Sequence, residues 1–172
     1  TGVMRADKLG YAYQKVLSRY RKEGQAVSFL VLDIDHLDNY NQHYGREGGD
    51  AVLKGMGPFL EKNVRLSDII GRPEEDEFTI SMVATLEQAR GVANRLVTES
   101  QRTSFRAGEA ELKVTFGIGL AGHPEHGSLA HDLVESARVA MKSAKCEGKG
   151  RVKVFDPDKM VGESRQSAFD KF

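Results

Sequence analysis

The chain has 172 residues, and its 40% hydrophobic content suits one globular domain with a core but leaves no room for a second. Lys plus Arg and Asp plus Glu both number 25, which argues against nucleic acid as a bulk partner. No apolar run approaches the roughly 20 residues that span a bilayer, so direct membrane contact is not expected. The single cysteine, Cys146, excludes an internal disulfide and is typical of a reducing compartment.

Apolar periodicity predicts the elements of the first half of the chain. Leu9, Tyr13 and Leu17 recur at helical spacing and predict a helix over 8–22. The continuous apolar run 27–32 predicts a strand that is buried on both faces. The next predicted elements are helices over 36–44 and 49–63, and a β-hairpin formed by 68–72 and 77–83.

The second half begins with a capping box, in which Thr85 precedes Gln88 by three residues and predicts a helix to about residue 100. Strands at 105 and 112–121, a helix over 128–147 and a strand over 152–155 follow. This order predicts an α+β fold, an α/β sandwich in which helices cover a mixed, mainly antiparallel sheet of five strands, with an additional small β-hairpin. We assign 1–155 to this domain and 156–172 to a C-terminal tail or linker.

Carboxylates cluster at the ends of two predicted strands. Asp33 and Asp35 close the buried strand, and the run from Glu74 to Glu77 forms the tip of the hairpin. If the two strands are neighbours, Asp33 and Asp76 can converge on a hard divalent cation. Two alternatives stay open: the tip is a charged turn that keeps the hairpin soluble, and Asp35 caps the following helix.

Arg65 and Asp68 stand three residues apart, shortly before the hairpin. An Arg guanidinium can fork onto a phosphate or onto the acceptor edge of guanine, and an Asp can accept from the guanine N1 and N2 hydrogens. The pair can therefore read a guanine nucleotide. The alternative is a solvated surface ion pair that contributes little.

Six motifs in register resemble the GGDEF domain of diguanylate cyclases over nearly the whole chain. They are Thr1-Gly2 with Arg5, Asp33-Ile34-Asp35-His36, Asn41 with Gly45 and Gly49-Asp50, Arg65-Leu66-Ser67-Asp68, Glu74-Glu75-Asp76-Glu77-Phe78, and Val114-Thr115-Phe116-Gly117-Ile118-Gly119 with Ala144-Lys145. The resemblance implies a fold similar to the palm of polymerases and nucleotidyl cyclases. Active members of the family condense two GTP into cyclic di-GMP, with one GTP site in each subunit of a dimer.

The resemblance also implies roles for individual residues. Asp33, the carbonyl of Ile34 and Asp76 would hold Mg²⁺ if GTP binds, and Asn41 and Asp50 would pair with guanine. Lys145 would meet the triphosphate. Asp76, Glu77 and Lys145 are then vestigial catalytic residues, because the departures from the family pattern fall around them.

The main departure is that Glu74 and Glu75 replace the two signature glycines. A carboxylate about 4 Å from a phosphate repels it by roughly 4 kcal/mol at an effective dielectric constant near 20. Lys149 also stands where an arginine grips the triphosphate, and a lysine cannot reproduce the arginine fork. We therefore expect a domain without catalytic activity.

Arg65 and Asp68, in contrast, match the family's RxxD inhibitory site, where cyclic di-GMP binds as an intercalated dimer without a metal. Arg95 and Arg19 are the candidate partner arginines. The leading hypothesis is a cytoplasmic cyclic di-GMP receptor domain within a larger bacterial signalling protein that can form a homodimer. The alternatives are a GTP-binding regulatory module, residual diguanylate cyclase activity, and a structural dimerisation domain that binds no nucleotide.

Overall fold

A computed structural model describes residues 3–160 of the chain. The elements in chain order are β1 (Met4–Arg5), α1 (Ala6–Lys22), β2 (Val27–Ile34), α2 (Leu37–Tyr44), α3 (Arg46–Asn63), β3 (Ile69–Arg72), β4 (Glu77–Met82), α4 (Leu86–Arg102), β5 (Phe105–Ala107), β6 (Ala110–Leu112), β7 (Phe116–His123), α5 (Ala130–Glu147) and β8 (Val152–Val154). None of the helices within 3–160 is long and apolar enough to cross a membrane.

Six strands form the main sheet, in the order β1-β3-β4-β2-β7-β8. The β1–β3 and β7–β8 pairs are parallel and the other three are antiparallel, which confirms a mixed, mainly antiparallel sheet. The predicted count of five strands is corrected to six, because Met4–Arg5 adds a strand of two residues, too short to show a periodicity. Strands β5 and β6 form the additional small hairpin.

Strand β2 lies in the middle of the sheet, and its alternating side chains build a core on each face. Leu30, Leu32 and Ile34 pack with helices α3 and α4 on one face. Phe29 and Val31 pack with helices α1 and α5 on the other. Every second side chain of a strand points to the same face, so a strand whose side chains are buried on both faces requires helices on both. The result is the predicted α/β sandwich.

The register of β2 fixes the position of its terminal carboxylate. Asp33 lies opposite Glu77 of β4 on one side and Gly117 of β7 on the other. The end of β2 is therefore next to the acidic tip of the β3–β4 hairpin, as the sequence predicts. Helix α5 packs across β7, so its C-terminal half reaches the same end of the sheet.

Two boundaries differ from the sequence prediction. The segment 112–121 is not one strand, since the non-strand residues Lys113–Thr115 separate β6 from β7. The structure also continues beyond residue 155: Met160 is only 5% exposed, and the amide of Asp156 donates to its sulfur at 3.3 Å. The rest of the predicted tail, 161–172, lies outside the described residues. The capping box at Thr85 is confirmed, with both reciprocal hydrogen bonds present.

Candidate functional site

The ends of β2 and of the hairpin form one cavity of about 640 Å³, lined by Asp33, Ile34, Asp76 and Lys145 among others. These four residues come from three separate segments of the chain, and the sheet order brings them together as the sequence predicts. Asp76 is exposed at the hairpin tip and faces this cavity. The cavity is the place where the family resemblance puts the metal and the triphosphate.

Lys145 contacts the two atoms that the sequence assigns to a metal. Its ammonium group donates to the carbonyl of Ile34 at 3.1 Å and lies 3.2 Å from Oδ1 of Asp33. The aliphatic part of Lys145 passes over Gly117, where a Cβ atom would lie 2.7 Å from Lys145 Cγ. Because Gly117, which lies opposite Asp33, has no side chain, the stem of Lys145 can pass over it and reach the end of β2.

Asp33 has a raised pKa, chiefly because burial penalises the charged carboxylate; the neighbouring ammonium of Lys145 opposes this shift. The described residues contain no group of three or more His, Cys, Asp or Glu side chains that could hold a metal ion. Asp33 and the Ile34 carbonyl already have a cation between them. While the Lys145 ammonium lies between them, Asp33 and the Ile34 carbonyl do not form a site for Mg²⁺, because Mg²⁺ has to contact its oxygen ligands directly.

Asp35 has a structural role that differs from the helix cap that the sequence left open. Its carboxylate is 5% exposed, accepts from the Thr115 hydroxyl at 2.9 Å and accepts from the amide of Gly150 at 3.0 Å. Helix α2 is instead preceded by His36, in a left-handed conformation and without a side-chain cap. Asp35 therefore ties β2 to the loop after α5, and its buried charge is satisfied there.

Glu77 is bound by an arginine that the sequence reasoning missed. Nε of Arg138 donates to both carboxylate oxygens of Glu77 at 3.0 Å, and Nη2 donates to Oε1 at 2.6 Å. Arg138 also pairs with Glu135. A signal existed in the sequence: Arg138 precedes Lys145 by seven residues, and this spacing puts both cations on one face of α5.

The hairpin tip keeps Glu74 and Glu75 exposed. They do not line the Asp33–Lys145 cavity; with Arg5 and Arg72 they border a separate cavity of about 560 Å³. Nε of Arg72 donates to the carbonyl of Glu75 at 2.8 Å and so closes the turn. The two glutamates therefore stand outside the Asp33–Lys145 cavity.

The two residues predicted to bind guanine are neighbours. A Cβ atom on Gly49 would lie 2.1 Å from Oδ1 of Asn41, so the amide of Asn41 packs directly on the backbone that precedes Asp50. Asp50 is exposed and lines a cavity of about 840 Å³ between α3 and strand β5. Asn41 thus lies beside the residue that precedes Asp50, and the cavity that Asp50 lines is separate from the Asp33–Lys145 cavity.

Arg65 and Asp68 form a turn instead of a side-chain ion pair. The carboxylate of Asp68 accepts from the backbone amide of Arg65 at 2.9 Å, and the amide of Asp68 donates to the carbonyl of Arg65 at 3.0 Å. The Arg65 side chain is exposed, and its guanidinium has no hydrogen bond or ion pair with any other residue in 3–160. Burial raises the pKa of Asp68, which is half-buried.

Two cavities meet at this turn. One, of about 310 Å³, is lined by Arg65, Asp68, Arg95 and Lys62, among others. Arg95 is held in place because its Nη2 donates to the carbonyl of Asn63 at 2.6 Å. The sequence predicted Arg95 here but overlooked Lys62, whose position at the end of α3 was the available signal.

The second cavity at the turn, of about 540 Å³, lies on the other side of Arg65 and is bordered by Val3 and Met4 of the N-terminal strand. The structure does not bring Arg19 to either cavity. Arg19 lies on helix α1, 4.0 Å from Glu23 and over the ring of Tyr20. Its participation stays a prediction.

Comparison with known proteins agrees with this fold. The family model described as "Diguanylate cyclase, GGDEF domain" matches residues 7–151, so the chain belongs to the GGDEF family. Among solved structures, the GGDEF domain of PA1120 (YfiN or TpbB) from Pseudomonas aeruginosa matches with a TM-score of 0.85 and 22% identity, covering 90% of this chain and 97% of that one. The GGDEF domain of DgcB from Caulobacter crescentus, in complex with c-di-GMP, matches with a TM-score of 0.81 and 19% identity, covering 90% of this chain and 89% of that one.

Similar proteins of known sequence include one named as a phosphodiesterase and one named as a cyclase. The cyclic di-GMP phosphodiesterase PdeR of Escherichia coli is 31% identical over 79% of this chain and 21% of its own length. The diguanylate cyclase DgcP of Pseudomonas aeruginosa is 30% identical over 90% of this chain and 23% of its own length. The chain therefore spans about a fifth of the length of these relatives, which are named for opposite reactions.

Proposed function

We propose that this GGDEF domain is a cyclic di-GMP receptor that binds its ligand through Arg65 and Asp68 and does not catalyse its synthesis. The observation that carries the proposal is the exposed guanidinium of Arg65, free of partners within the described residues and positioned between two cavities. A guanidinium in that state can fork onto a phosphate or a guanine edge without first breaking another contact.

The charges around the smaller cavity support an anionic ligand. Lys62, Arg65 and Arg95 contribute three cations, and Asp68 contributes one carboxylate, already oriented by the amide of Arg65. Cyclic di-GMP carries two phosphates and two guanines, so it needs cations together with an acceptor for the guanine N1 and N2 hydrogens. This cavity offers both.

The lack of catalysis is supported by the other end of the sheet. Glu77 is engaged by Arg138, Lys145 is engaged by Asp33 and Ile34, and glutamates 74 and 75 replace the glycines of the hairpin tip. Glu77 and Lys145 must leave these contacts before either can take part in binding a metal-bound triphosphate. Mg²⁺ is therefore not required for the proposed function, and we expect it only if GTP binds.

Isothermal titration of the chain with cyclic di-GMP tests the proposal. We expect binding, and at least a tenfold weaker affinity for Arg65→Ala, since hydrogen bonds to charged groups contribute about 1.5–3 kcal/mol. Arg90→Ala is the matched control, because Arg90 is also exposed but lines neither cavity at the turn. Absence of binding by the unmutated chain refutes the proposal, as does an equal loss in the two variants.

A second candidate is a GTP-binding regulatory module. It is favoured by the contact of Asn41 with Gly49, the residue that precedes Asp50 in the chain. Magnesium-dependent GTP binding that is abolished by Asp50→Ala would support this function, and no binding at millimolar GTP would remove it. Cyclic di-GMP formation from GTP in the same incubations would instead demonstrate residual cyclase activity.

The relatives suggest the setting of the domain. Proteins named as a cyclic di-GMP phosphodiesterase and as a diguanylate cyclase each contain a similar segment within a chain about five times as long. We propose that this domain likewise regulates an attached output in a larger cytoplasmic signalling protein. A cyclic di-GMP dimer that bridges two copies of the domain would make a homodimer the ligand-bound form, and light scattering with and without cyclic di-GMP measures this.

A further inference from the structure

Lys145 satisfies the same two oxygen atoms that a divalent cation at the end of β2 would use. Its ammonium lies 3.1 Å from the carbonyl of Ile34 and 3.2 Å from Oδ1 of Asp33, with Oδ1 of Asp35 at 3.8 Å. The side chains of Asp33 and Lys145 are 24% and 27% exposed, so the contact is partly shielded from solvent. A shielded ion pair is stronger than one on the open surface.

The lysine is held in this position by the packing of helix α5. Its stem crosses Gly117, and its helix lies so close to β7 that a Cβ on Gly119 would be 1.9 Å from the carbonyl of Ala137. Helix α5 is further attached to β4 by Arg138. The ammonium of Lys145 is therefore held at the end of β2 by a packed helix and not by a loop.

We infer that Lys145 is an internal counter-ion that excludes divalent cations from Asp33 and the Ile34 carbonyl when no phosphate ligand is present. An ammonium and a metal ion cannot occupy the same position, and like charges about 3 Å apart repel strongly. A phosphate group would offer Lys145 an alternative anion and release the two oxygens. Metal binding and phosphate binding at this site are then coupled, and the metal alone does not bind.

The same cavity provides a matched control in Lys149. Both lysines line it, but Lys149 has no hydrogen bond or ion pair to another residue in 3–160. Replacing either lysine by methionine removes one positive charge from the cavity. A difference between the two variants therefore reports the direct contact with Asp33 and not the general electrostatic potential.

The test is Mn²⁺ binding to the 172-residue chain without nucleotide, measured by electron paramagnetic resonance. We expect Lys145→Met to bind Mn²⁺ at least about tenfold more tightly than the unmutated chain and Lys149→Met, which corresponds to about 1.4 kcal/mol. This gain in Mn²⁺ affinity should disappear in the double variant Asp33→Asn, Lys145→Met, which lacks the Asp33 carboxylate. Equal Mn²⁺ affinity of the unmutated chain and Lys145→Met would overturn the inference.

Thermal unfolding provides a second readout that does not depend on nucleotide. Lys145→Met leaves the Asp33 carboxylate without its cation, so we expect a lower Tm, restored by millimolar Mg²⁺. Lys145→Gln, which can still donate to the Ile34 carbonyl, serves if the methionine variant fails to fold. A Tm of these variants that is insensitive to Mg²⁺ would also overturn the inference. Cyclic di-GMP binding through Arg65 is measured separately, so the two proposals can fail independently.

Discussion

Arg138 on helix α5 holds the carboxylate of Glu77 on strand β4 in a two-pronged hydrogen bond, with distances of 2.6–3.0 Å. Their side chains are 20% and 9% exposed, so the pair is largely shielded from water. The hydrogen bonds to Glu77 are the main cause of the raised pKa of the Arg138 guanidinium. This contact joins the acidic hairpin to the helix that carries Lys145.

Replacing Arg138 by methionine is expected to destabilise the domain. The substitution keeps a similar stem length but leaves the buried carboxylate of Glu77 without its cation, and breaking such a pair costs about 3 kcal/mol. For a domain of this size that loss lowers Tm by roughly 6–12 °C. Urea unfolding followed by circular dichroism measures the change in the free energy of unfolding.

The control is Arg102→Met. Arg102 also pairs with a glutamate on its own helix, but its side chain is 73% exposed, so we expect a change below about 0.5 kcal/mol. The double variant Glu77→Gln, Arg138→Met should recover part of the loss, because no unpaired charge remains. Similar stabilities of Arg138→Met and Arg102→Met would show that the fork to Glu77 contributes little.

Asp68→Asn should stabilise the domain at neutral pH. Burial raises the pKa of Asp68 above its ordinary value of 3.8, so the folded state penalises the charged carboxylate. The contribution of Asp68 to stability is therefore most favourable below pH 3.8 and is lost as the pH rises through the raised pKa. An asparagine at position 68 does not ionise, so it causes no such loss of stability with rising pH. Its Oδ1 can still accept a hydrogen bond from the amide of Arg65.

The expected difference between Asp68→Asn and the unmutated chain is consequently positive near pH 7 and small near pH 3. Chemical denaturation at both pH values checks this, and the acidic measurement is the internal control. The same variant should bind cyclic di-GMP more weakly, because an amide is a poorer acceptor than a carboxylate. A stability difference that is constant with pH would contradict the assigned cause.

Lys62→Ala and Arg95→Ala should each weaken cyclic di-GMP binding by about tenfold, as expected for one lost charge-assisted contact. Both residues line the cavity that contains Arg65 and Asp68. Lys54→Ala is the control, since Lys54 is an exposed lysine of the same helix as Lys62 and lies outside this cavity. Titration calorimetry measures all three, and an unchanged affinity in Lys62→Ala would remove that residue from the site.

Alanine at two glycines is expected to have opposite effects on stability. A Cβ on Gly119 would lie 1.9 Å from the carbonyl of Ala137 and 2.2 Å from the amide of Met141, and backbone atoms cannot give way. We expect Gly119→Ala to lose several kcal/mol, by overpacking and by displacement of α5.

Gly91→Ala is the matched comparison. Gly91 is exposed on helix α4, and nothing lies within 4 Å of its hypothetical Cβ. Alanine has the higher helix propensity, so we expect a gain of about 0.5–1 kcal/mol. Urea unfolding of both variants tests the pair, and a loss in Gly91→Ala as large as in Gly119→Ala would show that local space does not decide the effect.

Much of the fold could be predicted from local patterns. The largely apolar sequence of β2 indicates helices on both faces of the sheet, and the Thr85 capping box locates the start of α4. The two-residue strand β1 could not be predicted, because its strand character comes from pairing with β3 and not from its own residues. The break between β6 and β7 was missed for a similar reason: apolar residues continue across it.

The grouping of the site residues was also available from the sequence, because motif order places Asp33 near Asp76 and Arg65 near Asp68. The partners of these residues were not. Asp68 interacts with the backbone of Arg65 and not with its guanidinium, a choice between two short-range geometries that residue spacing alone leaves undecided.

The sequence by itself determined the layered α+β architecture, the family, and the positions of the carboxylates and arginines along the chain. Only the tertiary structure decided that Lys145 lies on Asp33 and that Arg138 lies on Glu77. Both contacts join helix α5 to distant strands. They depend on how closely that helix approaches β7, which the absence of a side chain at Gly117 and Gly119 permits. Periodicity reports which face of an element is buried, whereas the pairing of two charges depends on the distance between elements.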